Sequence, residues 1–408
     1  VPLDPIVTLQ RLIQTPSVNP MGGDSSGPLF GEIRLTLLLA EICEQQGWPY
    51  FRQTVHPGRY NLLALIEGCP PAREGGELLL WDVHQDTVPV EGMTIDPFAG
   101  TQREGRVYGR GASDVKGSMA AMLAALSRLA QGSSQQRPTI VLACTVNEEC
   151  GFTGATALSQ LWGDRLAAAR SGSRPAEQFF PRSPDAAIVA EPTQFRVVVA
   201  HQGQVRWRCH TLGKAAHTSR PDAGANAIYA MAHVVRAFEQ YHALLSTTAT
   251  HPLCGRPSVC VSTIHGGVGI NTVPDRTTIE IDRRIAPDGS PAAAYDEIVR
   301  YIAEHADMGR CRLEHDPPFM HSTGLNDENN RAVAQRLADV VRNHGQPCEC
   351  VGVPYGTDAA AISAAGVPTV VFGPGSIEQA HTADEFIAVK ELELAAEFFY
   401  RIACEGLR

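Results

Sequence analysis

Apolar and polar positions fall in blocks along the chain, and the blocks have the lengths of strands and helices. "NLLALIEG", "GELLLWDV", "TIVLACTVNEE" and "DAAIVAEPT" predict strands, and "VKGSMAAMLAALSRLAQ" between the second and third predicts a helix. That alternation implies an α/β fold, a mostly parallel sheet with helices on both faces. "SGSRPAEQFFPRSP", residues 171–184, is rich in Ser and Pro and predicts a loop. After Pro192 the pattern changes. A strand pair around "VVVAHQGQVRWRCHTLG" precedes the helix "ANAIYAMAHVVRAFEQYHALL", strands "SVCVSTIHGG" and "TTIEIDRRI", the helix "PAAAYDEIVRYIAEHA" and the strand "CRLEHD". This βαββαβ order predicts a small α+β domain with one sheet face bare. The α/β texture returns near residue 317 with the helix "NRAVAQRLADVVRNHG" and the strand "PTVVFG". The expected domains are therefore residues 1–194 with 317–408, and an insertion of residues 195–316.

A length of 408 residues suits two domains, and a hydrophobic fraction of 44% suits a globular chain. The net charge of −10, with no long Lys/Arg run, argues against a nucleic-acid partner and for a small-molecule substrate. Long apolar runs are absent and the N-terminal pattern is amphipathic, so a membrane partner is not expected and a cytoplasmic location is. Eleven cysteines at irregular spacing argue against a disulfide framework. Cys348 and Cys350 in "CEC" have no second pair at zinc-finger spacing and read as thiols.

Chemistry gathers at the predicted strand ends. "LLLWDVHQDTVPV" places His84 and Asp86 two apart at the carboxyl end of a central strand, where ligands bind in open α/β sheets. Asp114 in "GRGASDVKGS", Glu148 and Glu149 in "TVNEEC", Glu191 in "VAEPT" and His381 in "GPGSIEQAHTADEF" fall at similar places. The four carboxylates of Asp114, Glu148, Glu149 and Glu191, with the imidazoles of His84 and His381, could not sit together on one sheet edge unneutralised, and two divalent cations would neutralise them. Strand parity separates Glu148 from Glu149, so one could bind metal while the other handles a water. Taken in isolation, two adjacent glutamates also suit a solvated strand end. "GRGASD" lacks the third glycine of a dinucleotide loop, and no G-x-S-x-G elbow occurs. His56, His201, His265 and His321 match no ligand position.

The ordered set "HQDTVP", "GRGASDVKG", "NEE", "AEPT", "GKAAHTSRPDAGANAI" and "GPGSIEQAH" resembles the acetylornithine deacetylase, succinyl-diaminopimelate desuccinylase, aminoacylase and carboxypeptidase G family of two-metal hydrolases over nearly the whole chain. The resemblance implies two divalent ions, Zn²⁺ foremost with Co²⁺ and Mn²⁺ able to occupy similar ligand sets. Asp114 would bridge them, with His84 and Glu191 on one ion and Glu149 and His381 on the other. It further implies Asp86 as the residue orienting the His84 ring, Glu148 as general base, and a cis peptide between Asp114 and Val115. The inserted domain would be lid and homodimer surface, with His217 an oxyanion donor to a neighbouring subunit. Asn271 and Arg284 would grip a substrate carboxylate; an exposed strand charge is an equal reading of Arg284. "YGTDAA" and the Gly-Pro-Gly run, with Gly373 and Gly375 at the substrate, look more like acetylornithine deacetylases than desuccinylases. The expected reaction is removal of a short acyl group from an N-acyl amino acid. A dipeptidase or carboxypeptidase on the same metals, or a homologue that lost catalysis, are the alternatives.

Overall fold

A computed structural model describes residues 2–23, 27–130, 136–162 and 174–408. The strands in chain order are β1 (Tyr50–His56), β2 (Arg59–Ile66), β3 (Leu78–His84), β4 (Thr101–Arg103), β5 (Arg106–Tyr108), β6 (Thr139–Thr145), β7 (Ala186–Val189), β8 (Val197–His201), β9 (Gly203–Leu212), β10 (Ser258–Gly266), β11 (Arg276–Ile285), β12 (Arg312–His315), β13 (Met320–Ser322), β14 (Cys350–Val353), β15 (Thr369–Val371) and β16 (Phe386–Ala388). They form an eight-stranded sheet in the order β1-β2-β6-β3-β7-β15-β8-β14, an antiparallel sheet β10-β11-β9-β12 with β13 added on β9, and a short sheet β16-β5-β4.

The centre of the large sheet is parallel: β6 pairs with β3, β3 with β7, and β7 with β15, all in the same direction. The flanking pairs β1–β2, β2–β6 and β15–β8 are antiparallel, so the sheet is mixed around a parallel core. Residues of β3 and β6 are buried along their whole length, as expected of strands covered on both faces. One face packs Leu79, Trp81, Val83, Ile140 and Leu142 against Met119, Met122, Leu126, Phe398 and Phe399 of the helices Lys116–Leu129 and Val389–Glu405. On the other, Thr145 hydrogen-bonds Asp358, the residue that opens the helix Ala359–Ala364. At the start of the chain, Asp4 caps the helix Pro5–Ile13 by accepting from the N–H groups of Ile6 and Val7, and the fixed φ of Pro5 suits the first turn.

The chain divides into two compact units, Val1–Val199 with Asp327–Val351 and Thr357–Arg408, and Ala200–Asn326 with Gly352–Gly356. The crossings fall later than hydropathy suggests, at 199/200 and 326/327. β8 continues the large sheet to His201, and β13, with the His201–Leu325 bridge, ties residues beyond 317 to the small unit. For the same reason β8 and β9 are not a strand pair; they lie in different sheets. A helix, Arg174–Phe179, occupies part of the segment expected to be a loop, whose residues 171–173 lie outside the described ones.

In the second unit, the helices Ala227–Leu245 and Pro291–His305 cover one sheet face through Met231, Val234, Phe238, Ile298 and Ile302. β11 alternates buried Ile279 and Ile281 with half-buried Glu280, Asp282 and Arg284, so the uncovered face is polar. Ion pairs Arg208–Glu280, Arg206–Asp282 and Arg284–Asp282 line it. None of the eleven cysteines is in a disulfide, and no helix among the described residues is long and apolar enough to cross a membrane.

Candidate active site

The parallel strands β3, β6, β7 and β15 end on one edge of the large sheet, so the segments that follow them converge there. His84 closes β3, Glu148 and Glu149 follow β6, Glu191 follows β7, and the loop after β15 carries His381. Asp114 comes from a separate loop, brought alongside by pairing of β16 with β5 through Phe386 and Tyr108.

Atoms of His84, Glu148 and Glu191 that can ligate a cation lie within 4.8 Å of one another, and so do those of His84, Asp114 and Glu149. The Asp114 carboxylate sits between the two imidazoles, with Oδ1 at 3.1 Å from His84 Nε2 and Oδ2 at 3.3 Å from His381 Nε2. His381 Nε2 is also 3.4 Å from Glu149 Oε1. The peptide between Asp114 and Val115 is cis, as the resemblance implies.

Asp86 acts differently from its expected role. The His84 Nδ1–H donates to the Asp86 main-chain carbonyl at 2.8 Å, while the carboxylate is 3.8 Å from that nitrogen. Nε2 is thereby left with a lone pair that could face a cation. The carboxylate instead accepts the main-chain N–H groups of Glu148 and Glu149, each at 3.1 Å, and the Asn19 amide at 2.7 Å. β3 ends at His84, so strand parity no longer governs Asp86. β6 likewise ends at Thr145, and a turn opened by Asn147 at φ 63° presents the two glutamates. Buried Glu32 accepts the Asn147 N–H and pairs with Arg59, which donates to the Asn147 side-chain oxygen. Asn19, Glu32 and Arg59 lie in no motif pattern, whereas Asn147 opens the "NEE" motif.

Electrostatics reflect the crowding. Burial first, then the charge of Glu191, pushes Glu148 well above the usual carboxylate range. Glu191 is raised by burial and by Asp114, and Glu149 by the same two causes. Burial also acts to raise Asp114, but hydrogen bonds from His381 and His84 hold it low. The bonds to Asp114 and Glu149 push His381 up to about 10. Burial opposes protonation of His84, yet its bond to Asp114 and the surrounding carboxylates raise it. Like charges this close raise one another's proton affinity, and a cation among them would relieve that repulsion. Glu149 Oε1 is buried and, apart from His381 Nε2 at 3.4 Å, meets no hydrogen-bond donor among the described residues. This unsatisfied oxygen and the mixed N/O donors fit divalent metal.

The other expected site residues are placed as follows. Gly373 N–H donates to Thr193 Oγ1 and Gly375 N–H to Glu391, so both amides are engaged within the protein. A Cβ at Gly373 would stand 2.6 Å from the Glu191 carbonyl, and one at Gly375 2.7 Å from Ser113 Oγ. These glycines let the loop close onto two ligand-bearing segments. His217, Asn271 and Arg284 belong to the second unit. The His217 Nδ1 accepts from the Ser219 N–H, the Asn271 carbonyl accepts from the Thr218 N–H, and Arg284 is paired with Asp282. His56 bonds Thr153, and buried His201 bonds the Gln202 carbonyl.

A sheet edge that gathers imidazoles and carboxylates around a buried carboxylate oxygen is suited to holding metal in an α/β protein. The pattern of peptidase family M20/M25/M40 matches residues 80–405, and the chain belongs to that family. It is 33% identical over 396 residues to the acetylornithine deacetylase of Photorhabdus laumondii subsp. laumondii, covering 94% of this chain and 93% of that one. The fold is shared with an M20 family metallo-carboxypeptidase from Sulfolobus solfataricus at TM-score 0.74 and 16% identity, over 98% of each chain. It is shared as well with a dinuclear metal binding peptidase of the M20 family from Bacillus subtilis, at TM-score 0.64 and 16% identity, over 99% of this chain and 97% of that one.

Proposed function

We propose that this metallohydrolase binds two divalent ions, Zn²⁺ foremost, and removes a short acyl group from an N-acyl amino acid. The observation that carries the reading is the Asp114 carboxylate, with one oxygen toward His84 and the other toward His381. Asp114 would be shared by the two ions, with His84 and Glu191 holding one and Glu149 and His381 the other. When bound, the ions polarise the amide carbonyl and lower the pKa of water.

Glu148 is the general base. Its main chain is fixed by Asp86 and its side chain is buried, with proton affinity raised by burial and by Glu191. A carboxylate in such surroundings takes a proton from the attacking water near neutral pH and returns it to the departing amine. Residues 195–316 are the homodimer surface in this reading, supported by edge strand β10 and by Val268 and Ile270, which are 88% and 100% exposed. His217 serves as oxyanion donor to the neighbouring subunit, and Asn271 and Arg284 bind the substrate carboxylate.

The test is a turnover screen of N-acyl amino acids and dipeptides with zinc-loaded and cobalt-loaded protein. Hydrolysis of N-acetyl or other short N-acyl amino acids is expected. Turnover of dipeptides alone would replace this reading with a dipeptidase, and no turnover by protein holding both ions would indicate a homologue without catalysis.

A further inference from the structure

We propose that Glu385 is a positioning residue that fixes the spacing between the two loops holding the second ion, so that its loss selectively weakens binding by Asp114, Glu149 and His381. The inference rests on the two-ion reading above. Glu385 is fully buried, and four donors converge on its carboxylate. Oε1 accepts the N–H groups of Ser113 at 2.8 Å and Asp114 at 2.9 Å. Oε2 accepts the Gly111 N–H at 3.0 Å and Arg110 Nη1 at 2.8 Å. Each oxygen thus holds two donors, the usual capacity of its lone pairs.

Its position in the chain gives this arrangement its meaning. Glu385 lies four residues after His381 and directly before β16. Ser113 Oγ donates to the Phe386 carbonyl at 3.0 Å, so the junction is bonded from both sides. One side chain therefore runs from the His381 loop to the main-chain N–H of Asp114. His84 is held by β3 and by the Asp86 carbonyl, independently of Glu385. His381 has no such strand: it sits on a loop at φ 61° with half its side chain exposed. Main-chain bonds from Thr94 to the Ala383 carbonyl and from Gly109 to the Glu385 carbonyl also hold this loop, and the Glu385 side chain is what links it directly to the Asp114 N–H. Partners beyond a metal's own ligands commonly change its affinity about 10- to 100-fold.

Glu385→Gln offers one oxygen and one NH₂, so one pair of donors faces another donor. Stepwise zinc affinity of initially metal-free protein, read by chelator competition, is measured with hydrogen exchange at the Ser113 and Asp114 amides. Wild-type protein should take up two ions. Glu385→Gln should lose roughly 10- to 100-fold on one ion, markedly less on the ion that keeps His84 and Glu191, and exchange faster at those two amides. Glu385→Asp, charged but one methylene short, should show the same selectivity and serves if the Gln variant does not fold. Unchanged affinity for both ions, or equal weakening of both, overturns the proposal; a wild-type chain that binds fewer than two ions overturns the two-ion reading beneath it.

Discussion

Glu148 and Glu149 are neighbours in sequence with different surroundings: Glu148 lies with His84 and Glu191, Glu149 with His84, Asp114 and His381. The division of labour follows from that placement. Glu148→Gln should lower kcat by roughly 10²- to 10⁴-fold, the usual scale for a general acid or base, while both ions bind as before. Turnover near wild type in zinc-loaded variant protein would remove Glu148 from that role. Arg284 is half-buried on β11 and shares Asp282 with Arg206, so its guanidinium is partly neutralised in the free protein. Arg284→Ala should raise KM for substrates with a free α-carboxylate far more than for their amides, through loss of a charge-assisted contact. Equal effects on both would show that it does not read the carboxylate. At this scale the H-x-D and N-E-E spacings disclosed the cluster, but not that Asp86 works through two different groups. Its carbonyl holds the ring and its carboxylate holds the glutamate turn, a choice made by where β3 and β6 end.

Strands bring the ligands together, and helices and turns tune their surroundings. The largely apolar runs of β3 and β6 were legible because strands covered on both faces need them. β1, β4, β5 and β16 carry weaker patterns, and the last three stand outside the large sheet. In the second unit, β9 and β12 place Trp207, Cys209 and His315 together. Trp207 Nε1–H donates to His315 Nδ1 at 3.1 Å, and His315 Nε2 lies 3.9 Å from Cys209 Sγ. Nδ1 is therefore an acceptor, and a proton there would meet the indole N–H. Burial and nearby His210 lower His315 from 6.5 to about 4. Between those values the unfolded chain binds more protons than the folded one, so stability falls as pH drops from 6.5 to 4 and levels off below. The effect has an upper limit of about 3 kcal/mol. His315→Gln keeps an acceptor for Trp207 and should flatten this part of the stability profile, measured as urea midpoints across that range. An equally steep acid loss in the variant would place the sensitivity elsewhere.

For the whole molecule, the proposed dimer has a direct test. Mixing inactive His217→Ala with inactive Glu148→Gln should restore partial activity, since one heterodimer site then holds both intact groups. No recovery despite verified subunit exchange would exclude a shared site. Local pattern determined much by itself: the α/β and βαββαβ order, the cluster of His84, Asp114, Glu148, Glu149, Glu191 and His381, and through six motifs in order the family. Periodicity and turn chemistry act over a few residues, so they are written where they act. Tertiary structure alone decided which groups complete that cluster. Glu385 reaches back to Ser113 and Asp114, Asn19 to Asp86, and Arg59 and Glu32 to Asn147, across separations that leave no periodic trace. The unit crossings have the same origin, because β13 is held by pairing with β9 and not by any property of its own residues. A buried polar group must find a partner wherever the fold places one, and only packing determines where that is.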